Sequence, residues 1–321
     1  MKDGTAMGVA KVRHYESLHE PSKRLYHDPY ATSMYPGGFV QAWLGEGGTR
    51  WLYDALGVGG ILNMLSIRTK WIDDEITGAS ASMEQLVILG AGYDTRGFRL
   101  DLNDSMQVFE VDQPDVQAKK LKKLEHLSKS DGHVASRMTS GAVKFVAVDF
   151  NEGESINDKL SNTEGYCATK PTVATMEGVT QYIPKTSTAD TLTKLISIMP
   201  AGSKLLISYV DENVFEDPAQ CGPPDAVKKV VSMVSGMMGE KWISSWTPQG
   251  FQTFLEDLGF HVVSDTTTRD YREKYMVPLG REVDEREMWA LERFVVATVQ
   301  HDLNGPANSS PGAKKKDLFG F

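Results

Sequence analysis

Short apolar runs recur through the middle of the chain, separated by stretches with helical patterning. They are Leu86-Val87-Ile88-Leu89, Gln107-Val108-Phe109-Glu110-Val111, Val143-Lys144-Phe145-Val146-Ala147-Val148, Thr172-Val173-Ala174-Thr175 and Lys204-Leu205-Leu206-Ile207-Ser208-Tyr209. Their length and flanking turn residues predict strands over 86–90, 107–112, 143–149, 172–176 and 204–210. Helical patterns at about 113–129 and 186–199 lie between some of them. Strands alternating with helices imply a parallel sheet with right-handed crossovers. Two late runs, 259–265 and 293–300, predict strands that an antiparallel hairpin at the sheet edge would absorb.

The ends of the chain read differently. Residues 1–80 are helix-patterned, with breakers at Tyr35-Pro36-Gly37-Gly38 and Gly45-Glu46-Gly47-Gly48. Apolar residues at Ile61, Leu62, Leu65, Ile72 and Ile76 predict one or two helices between Trp51 and Ile76, a cap ahead of the first strand. Residues 211–248 interrupt the strand rhythm with Pro218, Pro223 and Pro224, then Met233, Met237, Met238, Trp242 and Trp246. This segment is either a helix packed on the sheet or a lid over a pocket, and its place after a strand at the carboxyl edge suits a lid. From Asn304 to Phe321 the composition is that of a disordered tail.

Chemistry concentrates where the first two strands end. Leu89 runs into Gly90-Ala91-Gly92, and about twenty residues later the second strand ends in Glu110-Val111-Asp112. Glycines let backbone approach a ligand, and a carboxylate at the next strand end can accept two hydrogen bonds from a ribose diol. Dinucleotides and S-adenosylmethionine both use this layout. The dinucleotide fingerprint has a third glycine where this chain has Thr95, and Gly97 is out of phase. A cofactor without a pyrophosphate does not need that glycine.

Composition narrows the setting. The chain has 321 residues with a net charge of −9, which argues against broad nucleic-acid binding. Cys167 and Cys221 make neither a disulfide framework nor a metal-ligand spacing. No apolar run approaches membrane-spanning length and the N-terminus lacks an apolar signal core, so a cytoplasmic protein with no membrane partner is expected.

Larger blocks sharpen the reading. Gly90-Ala91-Gly92-Tyr93-Asp94-Thr95-Arg96, Phe98-Arg99-Leu100 and Glu110-Val111-Asp112-Gln113-Pro114 resemble the leucine carboxyl methyltransferase family, which includes polyketide O-methyltransferases. Asp28-Pro29-Tyr30-Ala31, Arg68-Thr69-Lys70-Trp71-Ile72-Asp73-Asp74, Val148-Asp149-Phe150 and Met176-Glu177-Gly178-Val179-Thr180-Gln181-Tyr182-Ile183 extend the resemblance over about residues 24–210. It implies a class I methyltransferase (Rossmann-like) α/β fold with a mostly parallel seven-stranded sheet and S-adenosylmethionine as methyl donor. The organisation then reads as a helical cap over 1–80, an S-adenosylmethionine-binding domain over 81–303 with the insertion at about 211–248, and the tail over 304–321.

The resemblance also implies roles. Arg68 would pair with the methionine carboxylate, Gly90 and Gly92 would pass beneath the methionine part, and Asp112 would accept from the ribose. Asp149 and Phe150 would flank the adenine, and Glu177 would lie near the sulfonium and amino group. Tyr182 and Tyr209, near strand ends, are candidate substrate contacts. Asp94 and Arg96 are expected to form an internal pair fixing the turn. His27, beside Asp28, is the nearest histidine–acid pair, and no general base is assigned.

The expected activity is O-methylation of a carboxylate or acidic hydroxyl on a small molecule of secondary metabolism. A carboxylate needs no base, whereas a neutral hydroxyl needs one. Alternatives are a protein C-terminal carboxyl methyltransferase, a dinucleotide-dependent oxidoreductase and a non-catalytic S-adenosylmethionine-binding protein.

Overall fold

The computed structural model describes residues 3–103, 105–150, 155–237 and 240–300. The tail reading over 304–321 falls outside these residues.

Three helices precede the sheet: α1 (Gly4–Ser17), α2 (Gly38–Ala55) and α3 (Gly60–Ala79). The second breaker lies inside α2, where Gly45 has φ +69° and kinks the helix. Then come β1 (Gln85–Leu89), α4 (Arg96–Arg99), β2 (Gln107–Asp112), α5 (Pro114–Ser128), α6 (Gly132–Thr139) and β3 (Val143–Ala147). They are followed by α7 (Ile156–Ser161), β4 (Thr172–Met176), α8 (Lys185–Ile196), β5 (Lys204–Val210), α9 (Asn213–Glu216) and α10 (Pro224–Met237). The chain closes with α11 (Pro248–Asp257), β6 (Phe260–Thr267) and β7 (Glu292–Val299).

The strands form one sheet in the order β3-β2-β1-β4-β5-β7-β6. Neighbours from β3 to β5 are parallel, and β7 is antiparallel to both β5 and β6. The late pair is therefore antiparallel, as expected, but β7 inserts between β5 and β6, leaving β6 at the edge.

Every residue of β1 and β4 is buried, because helices cover both faces. That is why these strands read as continuous apolar runs rather than alternating ones. Leu86 and Ile88 face one core with Ile67, Trp71 and Ile76 of α3, where Trp71 stacks on Phe294 at 5.3 Å. Val87 and Leu89 face the other, with Leu192 and Leu195 of α8 and Phe251 and Leu255 of α11. The carboxyl ends of β1, β2 and β4 lie side by side, the edge at which open α/β sheets bind ligands.

Candidate active site

A cavity of about 450 Å³ opens at this edge, walled by the strand ends, α1, α2, α3 and the segment from α10 to Trp242. Gly90 and Gly92 turn beneath it with φ of +64° and +46°. A Cβ on Gly90 would come within 2.3 Å of Val179 Cγ2, and one on Gly92 within 3.0 Å of Ala6 Cβ. Side chains at these two positions would thus conflict with both the backbone conformation and the neighbouring residues.

Asp112, ending β2, holds the turn from the side. One carboxylate oxygen accepts from the Gly92 amide and the other from the Gln113 amide at 2.6 Å. Burial raises its pKa, against the pull of those two amides. Each oxygen keeps a further lone pair, so the group can still accept from a ligand diol.

Glu177 follows β4 and reaches the same wall. Arg68 Nε donates to it at 2.8 Å and Arg96 Nη1 at 2.6 Å. Burial alone would raise its pKa, but the two guanidiniums outweigh that and hold it below the ordinary value. An ionised carboxylate at the cavity wall can face a cationic ligand group.

The turn is fixed from behind by a buried ionic network. Arg96, 2% exposed, bridges Asp73, Asp94 and Glu177. The expected Asp94–Arg96 pair is thus present, and Asp94 also accepts from the Arg96 amide at 2.6 Å. Arg99 holds Asp73 at 2.7 Å. Asp28 accepts from Arg13 Nε at 2.8 Å and Thr95 Oγ1 at 2.6 Å, tying α1 to the glycine turn.

The same geometry disfavours a pyrophosphate. The Thr95 hydroxyl is committed to Asp28, α4 has only four residues, and the Asp94 carboxylate already occupies its first turn. An anion there would meet a carboxylate rather than free amides.

Of the residues singled out in the sequence, Arg68, Gly90, Gly92, Asp112, Phe150, Glu177 and Tyr182 converge on the cavity wall. Arg68 reaches it with its guanidinium on two internal carboxylates, Glu177 and Glu292, the latter at 2.6 Å. Asp149 is set back from the wall and accepts from Gln113 Nε2 at 3.0 Å, so Gln113 stands at the cavity in its place.

Tyr209 is a correction. It stacks on Phe251 at 3.9 Å and donates to Asp265 at 2.8 Å, outside the cavity wall. Leu205, Ile207 and Tyr209 share the face packed under α8 and α11, where the aromatic cluster around Phe251 holds the ring. His27 is exposed and outside the cavity wall.

Sequence reasoning missed several wall residues. Gln181 lies inside a quoted motif; its Nε2 leans on Glu292 at 3.4 Å and its Oε1 meets no donor among the described residues. Glu292 begins β7, 224 positions from Arg68, with no local signal. Glu240 meets the start of α1 through the Thr5 amide at 3.2 Å, and Trp242 Nε1 donates to the Tyr182 hydroxyl at 3.0 Å.

The sheet order, the glycine cradle, the strand-end carboxylate and the ionised Glu177 together define a class I S-adenosylmethionine-dependent methyltransferase. Comparison with known proteins agrees on the class and narrows it. The leucine carboxyl methyltransferase family model matches residues 6–196. YktD of Bacillus subtilis, which carries a provisional S-adenosyl-L-methionine-dependent methyltransferase name, is 33% identical over 60% of this chain and 59% of its own. A similarly named Frankia alni protein is 28% identical over 86% of this chain and 87% of its own. Among solved structures, a DUF574 family protein from Streptomyces avermitilis superposes with a TM-score of 0.55 at 15% identity, covering 90% of this chain and 96% of that one. A protein from Thermobifida fusca, titled provisionally as a methyltransferase, gives 0.56 at 15% identity over 90% and 94%. The chain belongs to the leucine carboxyl methyltransferase family.

Proposed function

We propose that this protein methylates an oxygen of a small, largely apolar metabolite. The observation that carries the reading is the cavity itself. One end has the fixed polar groups of the cofactor site. The rest is walled by apolar side chains, among them Ile61, Met64 and Leu65 of α3 and Val230, Met233 and Val234 of α10.

S-adenosylmethionine supplies an electrophilic methyl on a sulfonium for a single in-line displacement. Gly90 and Gly92 would pass under its methionine part, Asp112 would accept from the ribose hydroxyls, and Phe150 would offer an apolar face to the base. Glu177, kept ionised by Arg68 and Arg96, would balance positive charge. The apolar wall would exclude water and align the acceptor, which is most of what methyl transfer asks of a protein.

Of the two acceptor types, an acidic hydroxyl fits this wall better than a carboxylate. The guanidiniums of Arg13 and Arg68 are already matched by Asp28, Glu177 and Glu292, and Lys11, the further cation on the wall, is exposed, whereas Glu240 offers only acceptors. Tailoring of metabolites in the cytoplasm is the setting this reading implies.

The test is transfer of tritium from methyl-labelled S-adenosylmethionine to a panel of naphthols and naphthoic acids. Label in an organic extract that alkali does not release supports a hydroxyl acceptor. Alkali-labile label would mean a methyl ester and a carboxylate acceptor. Label on protein would replace this reading with a protein methyltransferase.

A further inference from the structure

Helix α2 carries a large apolar face that nothing among the described residues covers. Phe39 is 76% exposed, Trp43 84% and Trp51 70%, and Val40, Leu44, Leu52 and Leu56 beside them are exposed as well. Only Gly38 and Thr49 of this helix are buried. At about 200 Å² per full aromatic ring, the three rings alone expose roughly 450 Å². The largest apolar patch of an ordinary monomer, all residues included, is about 300–600 Å².

The patch has two parts, joined at the Gly45 kink. Phe39, Val40, Trp43 and Leu44 recur at helical spacing on one side of the first half. In the second half, Leu52 and Leu56 are at once exposed and part of the cavity wall. Exposed apolar residues of α2 thus belong both to the outer surface and to the cavity wall.

We infer that α2 is an interfacial helix that docks on a lipid bilayer, from which a membrane-dissolved acceptor enters the cavity past Leu52 and Leu56. Three observations select a bilayer as the occupant. The face is aromatic-rich, and tryptophan suits the boundary between headgroups and acyl chains. Its ionic groups are sparse, with Arg50 tied to Asp54 and Glu287. A second copy of this chain on the same face would cover Leu52 and Leu56 and shut the acceptor out. The net charge of −9 disfavours an anionic surface, so the bilayer in question is one of neutral lipid. This departs from the expectation, drawn from hydropathy, of no membrane partner. No helix among the described residues is long and apolar enough to cross a membrane, so the contact would be with the surface. The delivery role, and with it the argument against a second copy, rests on the proposed methylation of an apolar acceptor; the aromatic character and sparse charge of the face do not.

The experiment is flotation of the full chain with phosphatidylcholine vesicles, alongside sedimentation velocity without lipid. Phe39→Gln with Trp43→Gln is the variant, since both side chains point to solvent and neither lines the cavity. Expected are flotation of a monomer, quenching of its tryptophan fluorescence by brominated lipid, and at least tenfold weaker partitioning of the variant. Calorimetric binding of S-adenosylhomocysteine should be unchanged in the variant, showing that it is folded. Absence of flotation, or flotation equal in the variant, overturns the inference. So does a dimer that the variant dissociates and that does not float, which would assign the face to a second copy. A protein that floats yet binds no S-adenosylhomocysteine would refute the methyltransferase reading and leave the interfacial helix standing.

Discussion

Replacing Arg96 with leucine removes the guanidinium at the centre of the buried network while keeping apolar bulk. Nε lies 2.7 Å from Asp73, and Nη1 lies 2.5 Å from Asp94 and 2.6 Å from Glu177. Two of these carboxylates keep a partner, Asp73 with Arg99 at 2.7 Å and Glu177 with Arg68 at 2.8 Å. Asp94 loses its close ion pair while remaining buried. Breaking a buried pair by removing one member costs about 3–5 kcal/mol. At about 2–4 °C per kcal/mol for a large domain, Arg96→Leu should melt roughly 10 °C below the wild type. The informative comparison is Arg96→Leu with Asp94→Leu, which removes the stranded charge as well and should recover part of that loss. Both are read by calorimetric melting, with S-adenosylhomocysteine affinity measured alongside because the network backs the glycine turn. A single variant melting within about 2 °C of the wild type, or a double variant no better than the single, would refute the argument.

The remaining predictions probe the turn, the corrected tyrosine and the acid limb of stability. Asp112→Asn keeps the shape but sets an amide NH₂ against one of the two backbone donors it now satisfies. At about 1.5–3 kcal/mol for a hydrogen bond to a charged group, S-adenosylhomocysteine should bind roughly 10–100-fold more weakly by calorimetry, and unchanged affinity in a folded variant would remove Asp112 from the site. Gly90→Ala places a methyl 2.3 Å from Val179 Cγ2 at φ +64°, so it should cost about 1–2 kcal/mol of strain and weaken cofactor binding as Val179 is displaced; a neutral result would show that the turn tolerates Cβ. Tyr209→Phe deletes the hydrogen bond to Asp265 and should lower the melting temperature by a few degrees, with cofactor affinity and acceptor KM unmoved. A changed acceptor KM would return Tyr209 to the cavity. For Asp94, burial alone would raise the pKa, but Arg96 and Arg13 hold it below its ordinary 3.8. A depressed folded-state pKa contributes stability that is complete above the unfolded value, declines below it and is lost as pH falls through the folded value. The gap in stability between wild type and Asp94→Asn should therefore be constant near neutrality and shrink below about pH 4 in urea melts; a gap that widens on acidification would contradict the assignment.

Much of this protein is written locally. The strands could be read because a strand buried on both faces must be apolar throughout, and Leu86 to Leu89 is such a run. The turn and Asp112 could be read because positive φ and a strand-end carboxylate leave one-dimensional marks about twenty residues apart. The motif Asp28 to Ala31 and the Arg68 to Asp74 block could be recognised, but their work could not. That Asp28 fastens Thr95 and Arg13, and that Asp73 holds Arg96 and Arg99, follows only once the cap is laid against the sheet.

Other features were settled by tertiary packing alone. Tyr209 lies outside the cavity because Phe251 of α11 and Asp265 of β6 take its ring and hydroxyl, contacts that no local pattern foretells. Glu292 joins Arg68 only because β7 inserts between β5 and β6, a pairing that no local pattern encodes. The apolar residues of α2 have the look of core residues in sequence, yet no element among the described residues covers them. Local sequence specifies the conformation of a segment and the chemistry it carries. Which segments meet, and which apolar faces remain open to something outside the chain, is decided by the competition among all of them for a place against one sheet.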